Sequence, residues 1–213
     1  MNGHSLGPLQ ELHLAAVTDI DDPDGRGRIK VRLHSTALEL WAPVVTLGAG
    51  SGYGVSCLPK RGEQVVVAFL SPEQPLVLGA VWSGGNSAPA DASPVQERYL
   101  LQTPAGIKVL LDDGQGPRVR IETPAGYHLS IDERGAGTVT VEKGGERIEM
   151  SASGIAINTA AKVEVQAAQV SVSAGMVQVD AGMSKFSGVV QCDTLITNSV
   201  VSASYTPGAG NIW

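Results

Sequence analysis

The chain has 213 residues, a formal net charge of −6 and a pI near 5.2. That balance argues against a nucleic-acid binder, which needs a basic face, and no run approaches the ~18 apolar residues of a membrane helix. Only 4% of residues are aromatic while Gly and Pro number 26 and 12, which disfavours an aromatic-rich enzyme core and predicts a β-rich chain that turns often.

Residues 1–10, an N-terminal extension, have no basic start and no apolar run before a cleavage site, so no secretory signal is expected and the chain is read as made in the cytoplasm. Cys57 and Cys192 sit in no ligand or redox spacing and are read as free thiols.

Residues 11–83 read as a small β domain. ELHLAAVTDI and RIKVRLHS are strand-like runs separated by the turn formers DDPDGRG. Ile29, Val31 and Leu33 alternate with Arg28, Lys30 and Arg32, which predicts a half-buried strand with a charged outer face. LWAPVVTL is a third strand that Pro43 pushes towards an edge or bulge. GAGSGYG reads as a loop and VSC as a short strand. A turn at Pro59–Gly62 leads to the apolar strand from Gln64 to Leu70, and PLVLGAVW is the last strand. About five strands without a helix suit an OB-fold barrel.

Residues 84–97, GGNSAPADASPVQE, read as a linker. Residues 98–204 hold internal repeats. LLQTPAGIKVLLDD (100–113) matches RIETPAGYHLSIDE (120–133), each a strand, a TPAG turn, a strand and an acidic turn. Further on, charge nearly vanishes and V-x-V doublets recur at Val163/Val165, Val170/Val172 and Val177/Val179, seven residues apart.

A three-residue strand cannot hold a sheet alone. A single-chain solenoid needs roughly 18–25 residues per coil, so seven residues supply one wall of a triangular prism whose other walls come from other copies. These six valines are the expected axis core of a homotrimer, with Ala, Ser and Gly at the corners. The competing reading is an ordinary β-sandwich with low-complexity strands.

No catalytic, metal or cofactor site is expected. DIDDPDGRGRIK fails the EF-hand pattern, because Gly25 at position 6 puts Ile20 at position 1 and Val31 at position 12. A turn with an exposed acidic cluster is the expectation. GAGSGYG lacks the G-K-[ST] of a phosphate loop. Asp112, Asp113, Asp132 and Glu133 sit in repeat-equivalent turns and read as solvated corners rather than a glycosidase pair. The last nine residues, YTPGAGNIW (205–213), break the V-x-V series. Tyr205, Pro207, Ile212 and Trp213 are expected to cap a rod's blunt end or to dock a tip protein, a frayed tail being the alternative.

These residues resemble a known family. GRGRIKVRL, LWAPVVTLGAGSGYGVSCLPKRGEQVVVAFL and QPLVLGAVWSGGNSAP follow, in order, the OB domain of phage baseplate assembly protein V and the VgrG-like spikes of type six secretion. The matching features are the G-R-x-K-V-R strand, W-x-x-V, the Gly-rich loop, P-x-x-G-x-x-V-x-V-x-F and the P-x-V-x-G ending. TPAGIKVLLDD is similar to the step with which that family enters its β-helical needle.

The resemblance implies an all-β fold, an N-terminal OB-fold barrel followed by a C-terminal intertwined triple-stranded β-helix. It implies a trimeric central spike, without enzymatic activity, in the baseplate of a contractile phage tail-like machine. Expected partners are baseplate proteins, a separate hub protein at the tube end, a PAAR-like tip protein at the apex, and the target membrane on puncture only. The hub is expected as a separate protein because only about ten residues precede the OB domain. No lysozyme domain is recognised, and His4, His13, His34 and His128 are too scattered for the iron-sealing H-x-H of some spikes. The alternatives are an OB-fold oligonucleotide- or sugar-binding module with a β-rich oligomerisation tail, against which the acidic charge and missing stacking aromatics stand, and a cell-wall hydrolase carried on a β-helix, for which no catalytic set is visible.

Overall fold

A computed structural model of the chain describes residues 12–203. Among the described residues there is no α-helix, only strands and one short 3-10 turn. The chain divides into two compact units at Val163/Glu164.

The first sheet forms from β1 (His13–Asp19), β2 (Ile29–Leu33), β3 (Glu39–Ala42), β6 (Gln64–Ser71) and β7 (Gln74–Val81), in the order β3-β2-β1-β6-β7. Every neighbouring pair is antiparallel. Alternation does what the pattern in β2 predicts: Ile29, Val31 and Leu33 are fully buried while Lys30 and Arg32 point away. Ala15, Val17, Val65, Val67, Ala42 and Val77 complete the core, and Phe69 packs against it. A core of short β-branched side chains needs no large rings at its centre, which fits the low aromatic content. Each fully buried Val, Leu or Ile contributes on the order of 1.5–3 kcal/mol.

Pro43 marks where this sheet closes. It has no N–H to donate, and its carbonyl accepts from Val77 N–H at 2.9 Å while Val45 N–H donates to the Val77 carbonyl at 2.9 Å. The resulting parallel bridge at Val44 joins the chain after β3 to β7. The edge strand expected at Pro43 is therefore the seam of a five-stranded barrel.

GAGSGYG, expected as a loop, is tightly turned: β4 (Ala49–Gly50) pairs with β5 (Tyr53–Gly54) in a small hairpin, with Gly52 at φ +79° in its turn. VSC is not a strand: the hairpin's last cross-link is the Val55 N–H donating to the Gly48 carbonyl at 3.0 Å, and Ser56 and Cys57 lie in irregular chain. The segment read as a linker contains a 3-10 turn (Ala90–Ala92) and is tied down. Asp91 pairs with Lys108, and the Arg98 guanidinium donates to the Asp91 carbonyl at 3.4 Å and also to that of Ser93.

The second sheet has seven strands: β8 (Arg98–Gln102), β9 (Lys108–Asp112), β10 (Arg118–Glu122), β11 (Tyr127–Asp132), β12 (Thr138–Lys143), β13 (Glu146–Ser151) and β14 (Gly154–Asn158). Their spatial order is their chain order, an antiparallel meander. The two TPAG copies build the same turn. In each, the Gly N–H donates to the Thr carbonyl, at 2.9 Å for Gly106 and 3.0 Å for Gly126. In each, the next residue's N–H donates to the Thr hydroxyl, at 3.1 and 3.3 Å. Pro presets the first central residue of the turn, and the glycines sit at φ +90° and +81°, where a Cβ is strained.

Residues 98–158 therefore pair within one chain, whereas the sequence reading treated 98–204 as one intertwined needle. The three-residue strands expected at the V-x-V doublets are absent from the single chain: residues 159–203 contain no strand, and from 160 onward every described residue is exposed. Among the described residues no strand lies alongside a doublet, and none of the three doublets forms a strand in cis.

Candidate functional site

The register of the second sheet sorts its side chains. One cross-strand row is Tyr99, Leu111, Val119, Ile131, Val139, Met150 and Ile155. A second row, two residues along, is Leu101, Val109, Ile121, Leu129, Val141, Ile148 and Ile157. Side chains two apart share a face, so one face of the sheet is apolar from edge to edge. Tyr127 and Lys143 rim it, the ammonium 4.1 Å from the ring centre and hydrogen-bonded to the phenol at 2.7 Å.

The other face is polar apart from Leu100, Leu110 and Ala156. Its first row runs Arg98, Asp112, Arg118, Asp132. Its far row runs Lys108, Glu122, His128, Glu142, Arg147. Oppositely charged side chains lie directly across from one another, which favours this register.

Asp112 is not a solvated corner. It is buried, accepts from the Gly114 N–H at 3.1 Å, and pairs with Arg118 at 2.7 Å and Arg98 at 3.3 Å. The Gly114 N–H, then Arg118, hold its carboxyl below the usual range. Arg134, through its guanidinium and then its N–H, pushes Asp132 down to about 2. Asp113 and Glu133 are exposed, as expected. A polar cleft of about 250 Å³ lies here, lined by Glu97, Arg98, Asp112, Gly114, Gln115, Gly116, Arg118 and Arg134. Its Asp112 carboxylate is held as an anion by the Gly114 N–H and Arg118, the opposite of the raised pKa a general acid needs.

The acidic cluster before β2 is corrected in the same way. The Asp22 carboxylate is almost fully covered. It accepts from the Arg28 guanidinium and from the N–H groups of Arg28, Arg26 and Asp24, which hold it far below the usual range. Arg61 bridges Asp19 and Asp21. The loop is organised by its own arginines, and no group of potential metal ligands occurs among the described residues.

The burial of the two sheet faces is inverted for a lone chain. On the apolar face Val141, Ile148 and Met150 are 47%, 45% and 48% exposed, while Thr140 on the polar face is buried. An apolar surface this continuous marks a protein interface. The axis valines expected from the sequence are also open in one chain, from 57% exposed at Val163 to 71% at Val172. The expected tip residues Tyr205, Pro207, Ile212 and Trp213 lie outside the described residues.

Two family profiles fall on these regions. The type VI secretion system/phage-baseplate injector OB domain matches residues 13–82, the barrel. The phage baseplate V C-terminal trimerisation domain matches residues 118–183, which holds β10 to β14 and the V-x-V doublets. The chain belongs to the phage baseplate V and VgrG-like spike family. Its fold is accordingly an OB barrel followed by a trimerisation domain.

The chain is 33% identical over 89 residues to the type VI secretion system spike protein VgrG3 of Vibrio cholerae, covering 38% of this chain and 9% of that protein. It is 33% identical over 95 residues to the spike protein VgrG4b of Pseudomonas aeruginosa, covering 39% and 12%. Over 89 residues it is 30% identical to the actin cross-linking toxin VgrG1 of Vibrio cholerae, covering 38% and 8%. The chain thus spans about a tenth of the length of these curated relatives.

The register of the apolar face was missed in the sequence reading. Its signal is period-2 alternation of apolar residues in YLLQ, VRIE, YHLSID, TVTVEK and ERIEM, which gains meaning once the strands are aligned.

Proposed function

We propose that three copies of this chain form the central spike of a contractile, phage tail-like injection machine. The observation that carries the reading is the apolar sheet face, open in one chain, whose strands β10 to β14 lie in the segment matched by the trimerisation domain. In this reading the OB domain (11–83) joins a separate hub protein at the tube end, next to other baseplate proteins, and 84–97 connects it to the needle. The needle (98–204) is driven through the target envelope when the sheath contracts, and it meets the membrane only then.

Val163, Val165, Val170, Val172, Val177 and Val179 line the three-fold axis. Tyr205, Pro207, Ile212 and Trp213 cap the needle or dock a PAAR-like tip protein. The task is mechanical: a rod whose strands pair within each chain over 98–158 and between chains beyond leaves few open edges, and the arginine-paired carboxylates serve its register. The spike is assembled in the baseplate of a phage or injection particle.

Light scattering after size exclusion tests the assembly. The expected mass is three times the 22.0 kDa chain, and a monomer would overturn the reading. Deleting residues 205–213 tests the tip. The truncated chain is expected to remain a trimer and to lose tip-protein capture, and unchanged capture together with unchanged injection would remove the tip assignment.

A further inference from the structure

The meander and the V-x-V series differ in how the chain reverses. Every strand-to-strand turn from β8 to β14 contains or ends on a glycine with positive φ: Gly106, Gly116, Gly126, Gly135 with Gly137, Gly144 and Gly154. After β14 this stops. The next four residues are Thr159, Ala160, Ala161 and Lys162, with no Gly, Pro, Asn or Asp among them; the Thr159 hydroxyl accepts the Ala161 N–H at 3.1 Å and bends the chain there, a weaker turn signal than the glycines of the meander. A V-x-V strand following them cannot fold back on β14 of its own chain as each earlier strand folds on its predecessor.

β14 ends the strand order, so among the described residues one of its edges carries no strand. All five of its residues are exposed. An edge of unpaired N–H and C=O groups is a template for a further strand. The β14 side chains already fit the series, since Ile155 and Ile157 form an apolar doublet eight residues before Val163 and Val165. Five residue steps separate Asn158 from Val163, enough to span up to ~17 Å. Packed sheet faces lie ~10 Å apart, so the chain can turn a corner to a neighbouring copy without reversing.

We propose that β14 is the handover point of the needle: its free edge receives residues 163–165 of a neighbouring copy, in parallel, with Ala156 opposite Glu164. Pairing within a chain gives way to pairing between chains at residues 159–162. The proposal rests on the trimer reading and adds the partner segment, its direction and its register.

Cysteine pairing tests it in the full chain, with Cys57→Ser and Cys192→Ser removing the native thiols. Ala156 and Glu164 both lie on the side away from the apolar doublets, and neighbouring strands bring Cα atoms within disulfide range of about 4.4–6.8 Å. Oxidation of the Ala156→Cys, Glu164→Cys variant is expected to give covalent dimers and trimers on a non-reducing denaturing gel. Neither single variant should give trimers, nor should Ala156→Cys paired with Ser171→Cys, one repeat lower. A fast-migrating monomer closed within one chain would overturn the handover. So would an uncrosslinked product that light scattering shows to be a trimer, while the trimer reading stood. A monomer by light scattering before oxidation would overturn both.

Discussion

Asp132 and Asp112 carry charge into strand registers, and their surroundings set how stability responds to acid. Asp132 has its carboxyl pushed down to about 2 from an ordinary 3.8 by Arg134. A carboxyl depressed in the folded state contributes stability above its unfolded pKa and loses it as pH falls through the folded one. The Asp132 contribution is therefore present at neutral pH and disappears between about pH 4 and about pH 2. Thermal melts of Asp132→Asn are expected to show a lower midpoint than the parent at pH 7 and a smaller difference at pH 2. Asp112→Asn, which strips Arg98 and Arg118 of their shared partner, is expected to lower the midpoint at pH 7 more than Asp113→Asn at the exposed neighbour. Gly126 isolates a backbone effect. Its φ of +81° disfavours any Cβ, and nothing lies within 4 Å of where one would sit. Gly126→Ala should lose about 1 kcal/mol from backbone strain alone. Gly106→Ala also meets Pro124 at 3.3 Å, so urea unfolding is expected to rank it as the more destabilising of the two.

At the scale of the element, β2 and the TPAG hairpins follow local rules without compromise. β2 places three fully buried residues inward with basic ones between, and Arg28 lies 5.9 Å from the Trp41 ring centre on β3. Leu33→Ala opens a cavity in the barrel and is expected to reduce stability by about 2–5 kcal/mol. Arg32→Ala, on the outer side of the same strand, should stay within about 0.5 kcal/mol. Denaturant melts of the two variants compare the faces directly. The TPAG copies show a turn repeated because its parts are each required: Thr to accept and bracket, Pro to preset, Gly to take the positive φ.

For the whole molecule, the apolar face of the second sheet decides the assembly. A single chain leaves two rows of large apolar side chains in water, and covering them yields on the order of 1.5–3 kcal/mol for each side chain fully buried. Leu129→Asp puts a charge where two other copies are expected, and it should abolish the trimer in light scattering. Ser130→Asp, one residue along and on the polar face, should leave the trimer intact. Equal behaviour of the two variants would remove the assignment of this face to the interface.

Much of this was legible in the sequence because it is local. Alternation in RIKVRL and the TPAG turns depend on a few neighbouring residues and read directly as strand and turn, and Pro43 reads as an edge or bulge, its place at the seam being set by β7. The seven-residue doublets likewise announce a strand too short to stand alone. The tertiary structure decided what depends on register and partners. GAGSGYG pairs with itself only because Gly54 comes back against Ala49. Asp112 is buried only because β8 and β10 bring Arg98 and Arg118 to either side of it. The division of the second half into a meander that pairs within the chain and a tail that does not was invisible to composition, since both are β-rich. A strand's side-chain pattern is written in its own residues, whereas the edge that completes its hydrogen bonds belongs to whatever lies beside it.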